Sequence, residues 1–192
     1  NSLLSGVPKN GFLIEDFDPL PLFGGNAKEA RRADRFQHFA LAAAHEAITQ
    51  AGDFIMDPSA VGSMIGTGVG GLGTLENQVK VLLDKGPRRV SPFLVPMMMA
   101  NAASASVSMT YGLQGPCETI VTACAAGTHS IGRAAELIRT GKVKAMVAGG
   151  AEATLTPIGT QGFINMTAVS NEGISRPFDT QRDGFMQSEG AG

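Results

Sequence analysis

The chain has 192 residues, 43% of them hydrophobic and 17% charged, the balance of a globular domain long enough to bury a core. A formal charge of −2, with basic residues scattered apart from the pairs Arg31-Arg32 and Arg88-Arg89, argues against nucleic acid as the main partner. No apolar run reaches the ~18 residues of a membrane helix, and two cysteines with three scattered histidines offer neither metal-ligand spacing nor a disulfide framework, so no membrane span, no metal and a reducing, cytoplasmic compartment are expected.

Residues 1–30 carry Pro8, Pro19, Pro21 and Gly24-Gly25, which predict irregular connection, and the first six residues show no basic-then-apolar signal peptide. From Asp34 the three- and four-residue steps of Phe36, Phe39, Ala40, Ala43, Ala47 and Ile48 predict a helix that Gly52 stops. Val61 to Ile65 reads as a short strand running into the glycine cluster from Gly66 to Gly73. Thr74 then reads as the N-cap of a helix to Asp84, ended by Gly86-Pro87. Two prolines predict loop or extended chain from Ser91 to Pro96, and the small residues from Met97 to Tyr111 predict a buried helix. A second strand is expected over Cys117 to Val121, a helix over Ala125 to Thr140 and a third strand over Ala145 to Ala148, ending at Gly149-Gly150. Strands alternating with helices imply α/β layering around a mostly parallel sheet.

The most informative stretch runs from Ile120 to Gly132: a β-branched strand enters Cys124 across a tight Ala/Gly turn and leaves it as a helix. Small neighbours let a substrate reach such a side chain. The new helix presents free N–H groups and the positive end of its dipole, which favours negative charge on the sulfur and on an oxyanion formed by its attack on a thioester. The arrangement has the logic of a nucleophile elbow. A cysteine in an Ala-rich turn is as often a small core residue, and on the strand–turn–helix pattern alone both readings stand. Cys117, following Gly115-Pro116, reads as structural. His129 lies five residues after Cys124, and five steps of about 100° turn it ~140° away around the helix. His38 and His45 fall two turns apart on the first long helix and read as structural.

Val121-Thr122-Ala123-Cys124-Ala125-Ala126-Gly127 resembles the active-site segment of β-ketoacyl–acyl-carrier-protein synthases, the elongating condensing enzymes of the thiolase fold. Three further blocks resemble that family in its order: Gly66-Thr67-Gly68-Val69-Gly70-Gly71 before the cysteine, Ala148-Gly149-Gly150-Ala151-Glu152 after it, and Ser175-Arg176-Pro177-Phe178-Asp179 with Arg182-Asp183-Gly184-Phe185 near the end. The closing block carries Ser188 where the family has glycine. The resemblance covers nearly the whole chain. It implies a layered α-β-α, thiolase-like half with a mostly parallel mixed sheet, residues 1–192 forming the family's N-terminal domain without its first strand or C-terminal half.

The function so implied is acyl transfer. Cys124 would take an acyl chain from acyl-carrier protein, and decarboxylative condensation with malonyl–acyl-carrier protein would give β-ketoacyl–acyl-carrier protein in fatty acid biosynthesis. No cofactor of its own is implied, the substrates being carried on the carrier protein's phosphopantetheine. By motif position Val69 and Phe163 line the acyl pocket, while Leu94 and Met98 fall where the second subunit of a homodimer helps close it. The family's two catalytic histidines and its lysine belong to its second half, so residues 1–192 alone are expected not to complete a condensation. A polyketide ketosynthase is the neighbouring alternative. A non-catalytic chain-length partner subunit is another, against which the presence of Cys124 argues. The glycines Gly66, Gly68 and Gly71 also satisfy G-x-G-x-x-G, but a dinucleotide fold needs an acid about twenty residues on at a strand end, and Asp84 closes a helix instead.

Overall fold

The computed structural model describes residues 11–53 and 57–192, so the readings made at residues 1–10 lie outside it. Phe12 bridges Ser188 in parallel, its N–H donating to the Gln187 carbonyl at 3.1 Å. A 3-10 turn at Leu20–Phe23, closed by Gly24 at φ +58°, and the one-turn helix α1 (Ala27–Ala30), capped by the Asn26 side chain, punctuate the stretch expected to be irregular.

Helix α2 (Arg35–Ala51) starts at a capping box: the Asp34 carboxylate accepts from the Phe36 N–H, and the Gln37 side chain accepts from the Asp34 N–H. Strand β1 (Val61–Gly66) is buried along its whole length. Helix α3 (Leu72–Lys85) begins two residues before the expected cap, with Gly71 as N-cap. Thr74 therefore lies inside the first turn, and both its N–H and its hydroxyl donate to Asp34. One buried carboxylate thus satisfies free N–H groups at the starts of two helices.

The proline segment is partly helical: α4 (Leu94–Met98) holds Pro96 in its first turn, where a missing N–H costs no helical bond. The expected helix from Met97 divides there, and α5 (Ala102–Tyr111) forms its second part. Strand β2 (Cys117–Glu118) is two residues long, not five. The reason is Ser104 of α5. Its hydroxyl takes the Ile65 N–H at 2.8 Å and donates to the Glu118 carbonyl at 2.7 Å, standing where the β1–β2 ladder would otherwise continue. Helix α6 (Ala126–Arg139) leads to β3 (Ala145–Glu152), then α7 (Pro157–Asn165) and β4 (Gly190–Ala191). β3 outruns its expected end because Gly149 and Gly150 stay in the ladder opposite Ile65 and Gly66.

The sheet order is β2-β1-β3-β4, parallel except for the antiparallel β3–β4 pair. Helices α2 and α5 pack on one face through Phe36, Phe39, Ala40, Val107 and the β1 residues Val61 and Ile65. Helix α6 packs on the other through Ala134, Leu137 and Met64. This is the layered α-β-α arrangement with a mostly parallel mixed sheet that the sequence implies.

Near residue 192, the Glu189 side chain is 2% exposed and accepts from Arg35 Nε at 2.9 and 3.0 Å and from the Ile14 N–H at 3.0 Å. Ser188, standing where glycine was expected, is accommodated in an extended bridge that asks for no left-handed backbone.

Candidate active site at the β2–α6 elbow

Beyond Glu118 the chain rises beside β1, with the Thr67 N–H donating to the Ile120 carbonyl at 3.2 Å, and turns at a 3-10 step over Ala123–Ala125. Ala123 sits at φ +51°, a left-handed conformation that costs a residue with a Cβ roughly 1–2 kcal/mol. The next residue is Cys124, exposed. The Ala125 N–H donates to the Thr122 carbonyl and the Ala126 N–H to the Ala123 carbonyl, so the chain passes from the strained residue straight into α6. Cys124 therefore stands at the positive end of a 14-residue helix, accessible to a ligand.

Glycines form the floor beneath that helix start. A Cβ at Gly66 would lie 2.6 Å from Ser130 Oγ and closer still to the Ala126 carbonyl, and one at Gly150 would lie 2.9 Å from Gly127 Cα. The converse is not true: a Cβ at Gly127 would meet Gly150 Cα at 3.5 Å, an ordinary contact. The sheet side of the contact, not the helix side, must be bare for α6 to sit this low.

The glycine turn after β1 abuts the elbow. A Cβ at Gly68 would lie 2.8 Å from Glu152 Oε2 and 3.7 Å from Ala123 Cα. Glu152, the last residue of β3, accepts from the Gly68 N–H at 2.7 Å and from the Thr67 hydroxyl at 3.3 Å. Burial pushes its carboxyl up from the ordinary range, opposed by the hydrogen bonds from Gly68 and Thr67. Val69, between the bonded Gly68 and Gly70, is 54% exposed on this turn. The structure thus brings the Val69 turn to the Cys124 elbow.

Met98 comes near from the other side: its carbonyl accepts from the Gly71 N–H at 3.2 Å, and a Cβ at Gly70 would sit 3.0 Å from that same oxygen. Leu94 opens the same short helix, half-buried. Phe163, on α7, packs edge-on against Phe185 with ring centroids 5.4 Å apart. Cys117 departs from the packing role expected of it, because among the described residues no strand pairs with the outer edge of β2. The thiol is exposed, its sulfur accepting from Ser63 Oγ at 3.5 Å. The histidines stay in local roles. His129 Nδ1 is 3.3 Å from Thr122 Oγ1, His45 Nδ1 is 3.0 Å from the Tyr111 hydroxyl, and His38 Nε2 is 2.9 Å from the Ala30 carbonyl. Burial pushes the His38 imidazole down from its ordinary value. A cleft of about 510 Å³ is lined by Asp34, Arg35, Thr74, Asn77 and Glu189 among others, with no residue of the 122–126 elbow in its wall.

Glu152 is the residue to which sequence reading assigned no role. The available signal was a lone acid ending a strand that is otherwise without charge, a position where desolvation demands a partner.

Residues 5–192 match the family model described as β-ketoacyl synthase, N-terminal domain. The chain is 47% identical over 186 residues to a 3-oxoacyl-[acyl-carrier-protein] synthase 2 of Synechocystis sp., covering 93% of this chain and 44% of that protein. It is 46% identical over 195 residues to a protein of the same name from Staphylococcus aureus, covering 98% and 45%. The chain therefore spans about half the length of the curated relatives it matches. Among solved structures, a type II polyketide acyl-carrier protein in complex with its ketosynthase bound to a hexaketide superposes with TM-score 0.79 at 26% identity, covering 98% of this chain and 55% of that one. A β-ketoacyl synthase from Burkholderia phymatum gives TM-score 0.76 at 30% identity, covering 86% and 42%.

Proposed function

The chain belongs to the β-ketoacyl synthase family, whose N-terminal domain it matches, and from that premise we propose that Cys124 is the acyl-accepting nucleophile of a fatty acid elongation enzyme. The observation that carries the reading is the elbow itself: an exposed thiol after a strained left-handed residue, at the start of a long helix laid on bare glycines. In this reading the thiolate attacks the carbonyl carbon of a thioester, the carrier's phosphopantetheine sulfur leaves, and the acyl group rests on Cys124. Loss of CO₂ from malonyl–acyl-carrier protein then supplies the carbon nucleophile that displaces Cys124 and yields the β-ketoacyl product. The Cys124 amide is the oxyanion donor this chain would contribute.

The acyl chain would run past Val69 and Phe163, with Leu94 and Met98 near its far end. No cofactor of the chain's own enters this reading, the acyl and malonyl groups arriving on the carrier protein's phosphopantetheine. A cytoplasmic setting accords with a mechanism that needs a reduced thiol. The homodimer implied by the resemblance would form through the open edge of β2, a reading supported by the exposure of Cys117, Glu118 and Val121, as an isologous pairing that extends the sheet across a two-fold. Light scattering at micromolar concentration would give twice the subunit mass, and a monomer would exclude this assembly.

The polyketide reading draws support from the ketosynthase structures. The higher identity to proteins named 3-oxoacyl-[acyl-carrier-protein] synthase 2 favours fatty acid elongation. The deciding experiment incubates the full-length protein with acyl–acyl-carrier protein and locates the acyl group by peptide mass spectrometry. Malonyl–acyl-carrier protein is then added, and CO₂ and product are followed. One round of extension on the Cys124-bound chain supports the proposal, repeated extension without reduction supports the polyketide alternative, and no acyl group on Cys124 removes both.

A further inference from the structure

We propose that Glu152 is a positioning residue that clamps the glycine turn of residues 67–70 against the nucleophile's elbow and so decides which acyl chains reach Cys124. The inference rests on the acyl-transfer reading above and deepens it.

The hydrogen bonds form a connected series. Glu152 Oε2 accepts from the Gly68 N–H at 2.7 Å, and Oε1 accepts from the Thr67 hydroxyl at 3.3 Å. That same Thr67 oxygen accepts from the Gly70 N–H at 3.1 Å. The residues on either side of Val69 are therefore both tied to one carboxylate, while Val69 itself projects its side chain into the open. An added Cβ at Gly68 would meet the carboxylate at 2.8 Å and, 3.7 Å away, the Cα of Ala123, the strained residue preceding Cys124, so the bare glycine lets carboxylate, turn and elbow meet at one point. Thr67 is 2% exposed, so its hydroxyl has no water to turn to when the carboxylate is removed.

A half-buried carboxylate is a costly way to fasten a turn if only stability is at stake, and the raised carboxyl of Glu152 records that cost. What it supplies is geometric. An ionised carboxylate takes two donors at once with short, directional bonds. The turn is then held in one place, with Val69 at a set distance from the elbow. Loosening the clamp lets Val69 swing, which alters the passage for a long chain more than for a short one. A defect confined to folding would slow every acyl donor equally.

The test uses the full-length protein and measures Cys124 acylation by intact mass spectrometry, with hexanoyl– and palmitoyl–acyl-carrier protein as donors. For Glu152→Ala the ratio of the two rates should change by roughly ten- to a hundredfold, the scale of a misplacement of about 1 Å. Glu152→Gln, whose amide oxygen still accepts from Gly68 and whose NH₂ can donate to Thr67, should recover most of the wild-type ratio. Thr67→Val removes both bonds of the hydroxyl, to Glu152 and from Gly70, keeps the Glu152–Gly68 bond and fills the same space; it should shift the ratio in the same sense, which keeps the test decisive if the alanine variant fails to fold. An unchanged ratio in the folded variants, whatever happens to the absolute rates, overturns the clamp alone. Wild-type protein that takes no acyl group at Cys124 overturns the acyl-transfer reading and the clamp with it.

Discussion

Replacing Cys124 with alanine in the full-length protein should lower acyl transfer by at least about 10⁴-fold, because without the sulfur no acyl-enzyme forms and the remaining groups only bind and orient. The substitution removes one exposed sulfur from a surface turn, so the denaturant midpoint should stay where it is. Cys117→Ala is the control. That thiol is also exposed, and its only described contact is the bond from Ser63. It should leave both the acylation rate and the position of the acyl group unchanged. The comparison matters because both thiols are exposed in the single chain, so a generic electrophile could label either wherever the β2 edge is unpaired. Only an elbow cysteine should take its acyl group from a carrier protein. Peptide mapping that found the label on Cys117, or turnover surviving in Cys124→Ala, would remove the nucleophile assignment.

The second large effect is expected at Gly66. An added methyl there would press on the Ala126 carbonyl, which is backbone and cannot rotate aside, and on Ser130 Oγ. Helix α6 must lift from the sheet, and its first residues carry the elbow with them. Gly66→Ala should destabilise the fold by about 2–3 kcal/mol, at the upper end of the usual cost of overpacking. It should also cost acyl transfer on the order of 10²-fold, since the nucleophile moves with the helix. Gly132→Ala makes the same chemical change in the middle of the same helix, where an added Cβ meets nothing within 4 Å. There the alanine should stabilise by up to about 1 kcal/mol through helix propensity. Urea unfolding and acylation rates for the two variants, side by side, separate close approach from helix propensity. Equal stabilities would mean that the floor of glycines does not set the height of α6.

Much of the architecture is legible in local pattern. The three- and four-residue apolar steps of α2, the Asp34 to Gln37 capping box and the stop at Gly52 all depend on neighbours within a turn or two. The same holds for the strand–turn–helix around Cys124 and the left-handed glycines that close elements, such as Gly112. The order of strands and helices, and hence the α/β layering, follows from such signals. Reading Cys124 as a nucleophile takes more than pattern, because an Ala-rich turn suits a core cysteine equally well. The family resemblance moved that balance.

The tertiary structure decided what depends on residues far apart in the chain. β2 is short because a hydroxyl from α5 replaces a ladder bond, and no composition rule distinguishes Ser104 from the other small residues of that helix. Thr74 loses its expected capping role because α3 starts two residues earlier, and its own N–H is taken instead by Asp34, 40 positions before it. Glu152 becomes part of the site only because β3 ends where the glycine turn begins, 84 positions from its partner Gly68. Cys117 is exposed because, among the described residues, β2 is the outermost strand of the sheet. Periodicity and turn chemistry record the conformation of each segment, since they arise from bonds and clashes within it. Which hydroxyl completes which ladder, and which carboxylate meets which amide, is set by the distance between segments once they pack.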